Sequence, residues 1–264
     1  MSETRDGARR ANVVGLGLIG GSVALALRHR GWHVSGEDSQ PGVCERALAL
    51  DAIDAVGLDP HAEITFIATP VGAIASEVER ALESTTGLVT DVGSVKADLC
   101  ARIHSPRFLG GHPMAGSELD GIDGADPEMF EGAVWVLTPD ADAPDDTFAT
   151  LASIIAGLGA EVVALPPLDH DRLVAVVDRA EEHASLLRLA AGGFRDMTRI
   201  ASGRPGIWID ICRANGRAIA DALDEMIAAL SEMRRMVVDD DHDGLLEVLT
   251  ASRESRVNLP GRVT

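Results

Sequence analysis

Four short strings hold the residues best suited to chemistry in this chain. Gly15-Leu16-Gly17-Leu18-Ile19-Gly20 follows an apolar run and opens an amphipathic one, the setting in which three spaced glycines form a dinucleotide-binding turn. Gly15 permits the tight turn, Gly17 lets the backbone approach a pyrophosphate, and Gly20 brings helix against strand, so the helix start at Leu18 and Ile19 faces the anion. Glu37 and Asp38 close the next apolar run, where an acidic side chain accepts hydrogen bonds from a ribose. Asp38 is the better placed of the two; a carboxylate there repels a 2'-phosphate, and no arginine follows at once, so the expected cofactor is NAD. Thr69-Pro70 and Asp91-Val92-Gly93-Ser94-Val95-Lys96 end two further apolar runs and should line the cofactor, the second at its nicotinamide end. Gly110-Gly111-His112-Pro113-Met114-Ala115-Gly116-Ser117 fixes a histidine between glycines and a proline. A fourth string, Gly192-Gly193-Phe194-Arg195-Asp196-Met197-Thr198-Arg199, carries two arginines one helical turn apart.

These strings need a scaffold that gathers strand ends. Apolar runs at 11–14, 32–36, 64–68, 88–91, 133–137 and 161–164 alternate with stretches at 19–30, 71–84 and 145–158 whose apolar residues recur three and four apart. That alternation is the pattern of a parallel sheet with helices on its faces. Pro166-Pro167 interrupts it, and 169–190, 206–236 and 241–259 read as helices without strands between them. The expected fold is α/β: a Rossmann-type parallel-sheet dinucleotide-binding domain over 1–168, then an all-α dimerisation and substrate domain over 169–264. Ile219, Leu223, Met226, Ile227, Leu230 and Met233 form an apolar stripe long enough to be shared with a partner chain, so a homodimer is expected.

Composition narrows the function classes. The 264 residues carry 42 acidic and 23 basic side chains, a net charge of -19 that repels nucleic acid and anionic membrane surfaces. No apolar run approaches the roughly 20 residues that cross a bilayer. Arg9-Arg10 ahead of the glycine-rich run 13–27 imitates a signal, but no small-residue cleavage site follows. Cys44, Cys100 and Cys212 are widely spaced, which points to neither a disulfide framework nor a metal site and suits a reducing cytoplasm. Lys96 is the sole lysine and tyrosine is absent, so cationic work falls on arginine, and Lys96 reads as a helix-start residue.

Taken together and in order, the strings at 91–96, 110–118 and 192–199 resemble those of prephenate and arogenate dehydrogenases, and the likeness spans nearly the whole chain. The resemblance implies a nucleotide-binding domain followed by a helical dimerisation domain, and oxidative decarboxylation of a cyclohexadienyl acid with hydride passing to NAD. It makes His112 the base for the ring hydroxyl, which suits an imidazole titrating near working pH. It places Ser94 on the same hydroxyl or on the nicotinamide amide, and Arg199, with Arg195 beside it, on the substrate carboxylates. A 4-amino-4-deoxyprephenate dehydrogenase would use the same histidine, and a catalytically impaired NAD-binding homologue is the contrasting reading. A 3-hydroxyacid dehydrogenase would need a lysine in the second domain, which this chain lacks.

The likeness breaks after Val177. The family continues there with a Ser-His-x-Pro-His string and more helix, whereas Val177 runs here into Asp178-Arg179-Ala180-Glu181-Glu182-His183. The expectation is that a segment is missing between Val177 and Asp178, or that a true deletion alters activity; a Cα separation near 3.8 Å would mark a continuous chain. His183 is expected to be a solvated helix position and not a replacement for the absent histidines.

Overall fold

The structure is a computed structural model that describes residues 8–117, 119–140, 143–175, 209 and 215–257. It divides into two compact units, Met1–Met197 and Thr198–Thr264. In the first, β1 (Arg10–Val14), α1 (Leu18–His29), β2 (His33–Glu37), α2 (Val43–Ala49), β3 (Ala55–Val56), β4 (Ile64–Ile67), α3 (Val71–Ser84) and β5 (Leu88–Asp91) form a parallel sheet of order β3-β2-β1-β4-β5. The order reverses at β1, which opens a crevice over the carboxyl ends of the strands. All four residues of β4 are buried, as they must be in a strand covered on both faces.

After α4 (Ala97–Arg102) the chain forms β6 (Gly110–Pro113), β7 (Val134–Thr138), α5 (Asp145–Gly157), β8 (Glu161–Ala164) and α6 (Pro167–Ala175). β6 runs antiparallel to β7, which is parallel to β8. One bridge, Val89 to Phe108, carries the first sheet toward the second. Apolar packing completes the join: Trp135 lies edge-on to Phe66 of β4 at 6.2 Å and tilted over Phe130 at 5.0 Å, all three without exposed surface. Burying each such ring contributes on the order of 2–3 kcal/mol, enough to hold the two sheets over one core.

The expected strands and helices of the first unit are present within a residue or two, and α6 starts at Pro167, where a missing N–H costs nothing. α2, β3, α4 and β6 were not anticipated. β6 reads Gly-Gly-His-Pro, a sequence of low strand propensity, and becomes a strand through its neighbours. A Cβ on Gly111 would lie 2.8 Å from the Asp91 carbonyl oxygen and 3.0 Å from Trp135 Nε1, so only glycine lets β6 pass between β5 and β7. α6 packs on α4 and β7 and so belongs with the first unit.

Of the second unit, α7 (Gly216–Val238) and α8 (His242–Val257) are described and pack on each other. Leu223, Met226, Ile227 and Leu230 of the apolar stripe are all more than half exposed on the single chain. The helix expected over 169–190 is described only as far as Ala175, and Val177, Asp178 and His183 lie outside the described residues, as do Arg195 and Arg199.

Candidate active site

A cleft of about 790 Å³ lies across the carboxyl ends of β1, β2, β4 and β5 and reaches β6. Its floor is the glycine turn. Gly15 adopts φ +87°, donates its N–H to the Glu37 carbonyl at 2.8 Å, and would set a Cβ 2.5 Å from the Ala68 oxygen. Gly17, the residue before α1, faces open space where a side chain would stand. Gly20 is different in kind: it does not line the cleft, and a Cβ there would fall 1.9 Å from the Gly15 oxygen. It is a packing glycine, as its assigned role of bringing helix against strand requires.

Leu18, Ile19, Asp38, Thr69, Pro70, Ser94 and His112 join Gly15 and Gly17 around this one cleft. Asp38 Oδ2 accepts the Leu16 N–H at 2.7 Å and Oδ1 the Gln40 N–H at 2.8 Å, which fixes the carboxylate at the cleft edge with lone pairs to spare. Thr69 Oγ1 is buried in the wall without a partner among the described residues. An open cradle at Gly17, an N-terminal helix start beyond it, a fixed carboxylate and an unpartnered hydroxyl fit a dinucleotide. The sequence did not reveal Arg80 of α3, which reaches the same corner. It is held between Glu37 and Glu77, so its charge is already matched.

At the other end, Asp91 ties the segments of Ser94 and His112 together. Its Oδ2 accepts the Gly93 N–H at 2.9 Å, its Oδ1 accepts the Gly111 N–H at 3.2 Å, and Lys96 Nζ pairs with it while donating to the Gly111 carbonyl at 3.0 Å. Burial pushes the Asp91 carboxyl upward against the opposing pull of Lys96. Lys96 is indeed the residue preceding α4, but its side chain is fully buried and ties the turn of Ser94 to the strand of His112.

His112 is positioned in β6, one residue beyond Gly111. Its Nδ1 lies 2.9 Å from Nε2 of His170, a residue 1% exposed, and His170 Nδ1 lies 2.8 Å from Asp171 Oδ1. Asp171 also accepts the N–H groups of Lys96 and Ala97 at 2.8 Å, capping α4. Burial would raise the Asp171 carboxyl, but the hydrogen bonds from Ala97, His170 and Lys96 together hold it below the usual range, so it is ionised and acceptor-only. His170 Nδ1 must then donate to it. With the rings neutral, His170 Nε2 accepts from His112 Nδ1, and His112 Nε2 carries the lone pair. Burial, then the neighbouring His170 and Lys96, push the His112 imidazole down to about 3. Sequence reasoning gave no role to His170 or Asp171; an adjacent His-Asp pair opening a helix was the available signal, but 58 residues separate His170 from His112.

A family model described as the prephenate dehydrogenase nucleotide-binding domain matches residues 23–164, and one described as the prephenate dehydrogenase dimerization domain matches 162–251. The chain belongs to the prephenate dehydrogenase family. It is thereby an NAD-dependent dehydrogenase. It is 34% identical to a prephenate dehydrogenase of Bacillus subtilis (strain 168), over 95% of this chain and 76% of the relative. That alignment covers 281 positions, more than the 264 residues here, so the relative has segments this chain lacks. The crystal structure of Synechocystis arogenate dehydrogenase is 30% identical with a TM-score of 0.60, covering 95% of this chain and 100% of the other. A prephenate dehydrogenase from A. aeolicus, in complex with hydroxyphenyl propionate and NAD+, is 25% identical with a TM-score of 0.60, over 97% of this chain and 100% of the other.

Proposed function

We propose that this enzyme oxidises and decarboxylates prephenate or arogenate, with His112 as the base and Ser94 beside it on the ring hydroxyl or nicotinamide amide. The observation that carries the reading is the single cleft: the glycine turn and Asp38 occupy one end, Ser94 and His112 the other. NAD, held by the turn, Asp38, Thr69 and Pro70, supplies the hydride acceptor. His112 Nε2 takes the ring hydroxyl proton as the carbinol hydrogen departs with its electron pair. The ring carboxylate leaves as carbon dioxide, its electrons make the ring aromatic, and the phenolate recovers the proton. No net proton is consumed, so the base borrows what it returns. Aromatisation supplies the driving force, and the residues need only orient the ring and hold the proton.

Arg199 and Arg195 are the proposed clamp for the substrate carboxylates. In a chain of net charge -19, an anionic substrate needs local cations to offset the background field. By role we divide the chain into a dinucleotide-binding part over 1–168 and a helical substrate and dimerisation part over 169–264, although by packing the start of the second part, α6, lies with the first unit. The exposed apolar stripe of α7 supports a homodimer, and no described helix is long and apolar enough to cross a membrane. The cytoplasm, where both acids and NAD occur together, is the proposed location. Formation of NADH with prephenate and with arogenate, measured separately on the full chain, tests the assignment; no turnover with either acid overturns it.

A further inference from the structure

We propose that His170 and Asp171 are the proton-holding end of a relay from His112. As His112 Nε2 takes the substrate hydroxyl proton, His112 Nδ1 passes its own to His170 Nε2, leaving the positive charge on His170 beside the Asp171 carboxylate. The inference rests on the reading of His112 as base and goes beyond it by saying where the proton waits until the phenolate reclaims it. Geometry carries it. Two contacts in line, 2.9 Å from His112 to His170 and 2.8 Å from His170 to Asp171, join the cleft wall to a carboxylate fixed by two backbone N–H groups. Asp171 stays ionised throughout; the first transfer breaks the substrate O–H bond as His112 Nε2–H forms, the second breaks His112 Nδ1–H as His170 Nε2–H forms, and no co-reactant is required.

Electrostatics give the direction. The charged groups and titratable rings acting on His112 are His170 and Asp171 from α6 and Lys96 before α4, the last paired with Asp91 at the end of β5. Its neighbour β7 presents Val136 in register, which does not titrate. A charge on His112 would meet burial and the Lys96 cation, whereas a charge on His170 meets an anion at hydrogen-bond distance. His112 alone is a poor resting place for a proton; coupled to His170 it gains one. His170 never touches the substrate and is a positioning residue that acts through His112.

The test is the pH dependence of kcat/KM for the full-length enzyme and for His170→Gln, Asp171→Asn and His112→Gln. Glutamine at 170 can bridge both neighbours but takes no proton. The expected result for His170→Gln is a plateau kcat lowered about 10- to 100-fold, with KM for NAD and for the acid within about threefold of the parent. Its acid limb moves to lower pH by a unit or more, because the protonation that silences the free enzyme has lost its site. Asp171→Asn should move the limb the same way. A limb that stays in place, with or without a lowered plateau, overturns the relay, since a packing role changes the plateau alone. If His170→Gln does not fold, as judged by NAD titration of tryptophan fluorescence, Asp171→Asn gives the same decision. The base reading fails separately: His112→Gln retaining more than about a tenth of the activity sinks it, whereas an inactive His112→Gln beside an unaltered His170→Gln sinks only the relay.

Discussion

The ion pair of Asp91 and Lys96 is sealed from solvent on both sides, and it ties together the segments that carry Ser94 and His112, the two residues proposed to frame the reaction. Removing one partner of such a pair leaves the other charge buried, at a cost of about 3–5 kcal/mol. Lys96→Met should therefore lower the urea-unfolding free energy by that amount. The loss should deepen as the pH rises above the carboxyl's unfolded range, because a buried Asp91 without Lys96 resists ionisation that the unfolded chain accepts. Activity should fall with it even where the protein remains folded, since the Gly111 carbonyl loses its donor and β6 its register.

The neutral state of His112 has a signature in stability. In the folded protein the ring stays unprotonated down to about 3, whereas an unperturbed histidine takes its proton near 6.5. Between those values the unfolded chain binds more protons, so stability falls as the pH drops through this window. From pH 7 to pH 5 the contribution is about 2 kcal/mol. Replacing His112 with Gln should flatten the decline by that amount in paired urea titrations; parallel curves for the two proteins would refute it.

Two glycines one helical turn apart should respond in opposite ways. Gly17→Ala places a methyl in the open cradle where the pyrophosphate would come, so KM for NAD should rise about tenfold or more while the melting temperature holds. Gly20→Ala drives a methyl into the Gly15 backbone and should destabilise the fold by about 1–3 kcal/mol whether or not cofactor is added. Thermal melts with and without NAD distinguish them.

Cofactor choice is proposed to rest on charge at the far corner of the cleft. Asp38 opposes a 2'-phosphate, and Arg80, which could welcome one, is engaged by Glu37 and Glu77. Asp38→Asn combined with Glu37→Gln removes the opposition and loosens the arginine. The ratio of kcat/KM for NADP to that for NAD should rise at least about tenfold, each 1.4 kcal/mol of relieved repulsion being a factor of ten. An unchanged ratio would show that neither carboxylate governs the choice.

These tests draw unequally on sequence and structure. The glycine turn, Asp38, Thr69, Pro70 and Ser94 were legible because each sits at the end of an apolar run, and a parallel sheet sends all such ends to one edge. β6 was not legible: two glycines, a histidine and a proline carry no strand pattern, and their strand state comes from β5 and β7 on either side. His170 and Asp171 were hidden for a related reason. Their partners are His112 and the start of α4, and only the docking of α6 across β7 brings those distant segments together. Arg80 was not legible because the cation at this corner comes sideways from α3 and not from the segment that follows Asp38.

The carboxylate of Asp171 serves two masters, the backbone at the head of α4 and the imidazole of His170. The glycine turn, Asp38, Thr69 and Pro70, proposed to cradle the nucleotide, are all encoded before residue 95, but that carboxylate arrives 75 residues after Lys96. During synthesis, therefore, the segment proposed to grip the coenzyme leaves the ribosome first, and the proposed relay from His112 is complete only when α6 emerges and seats.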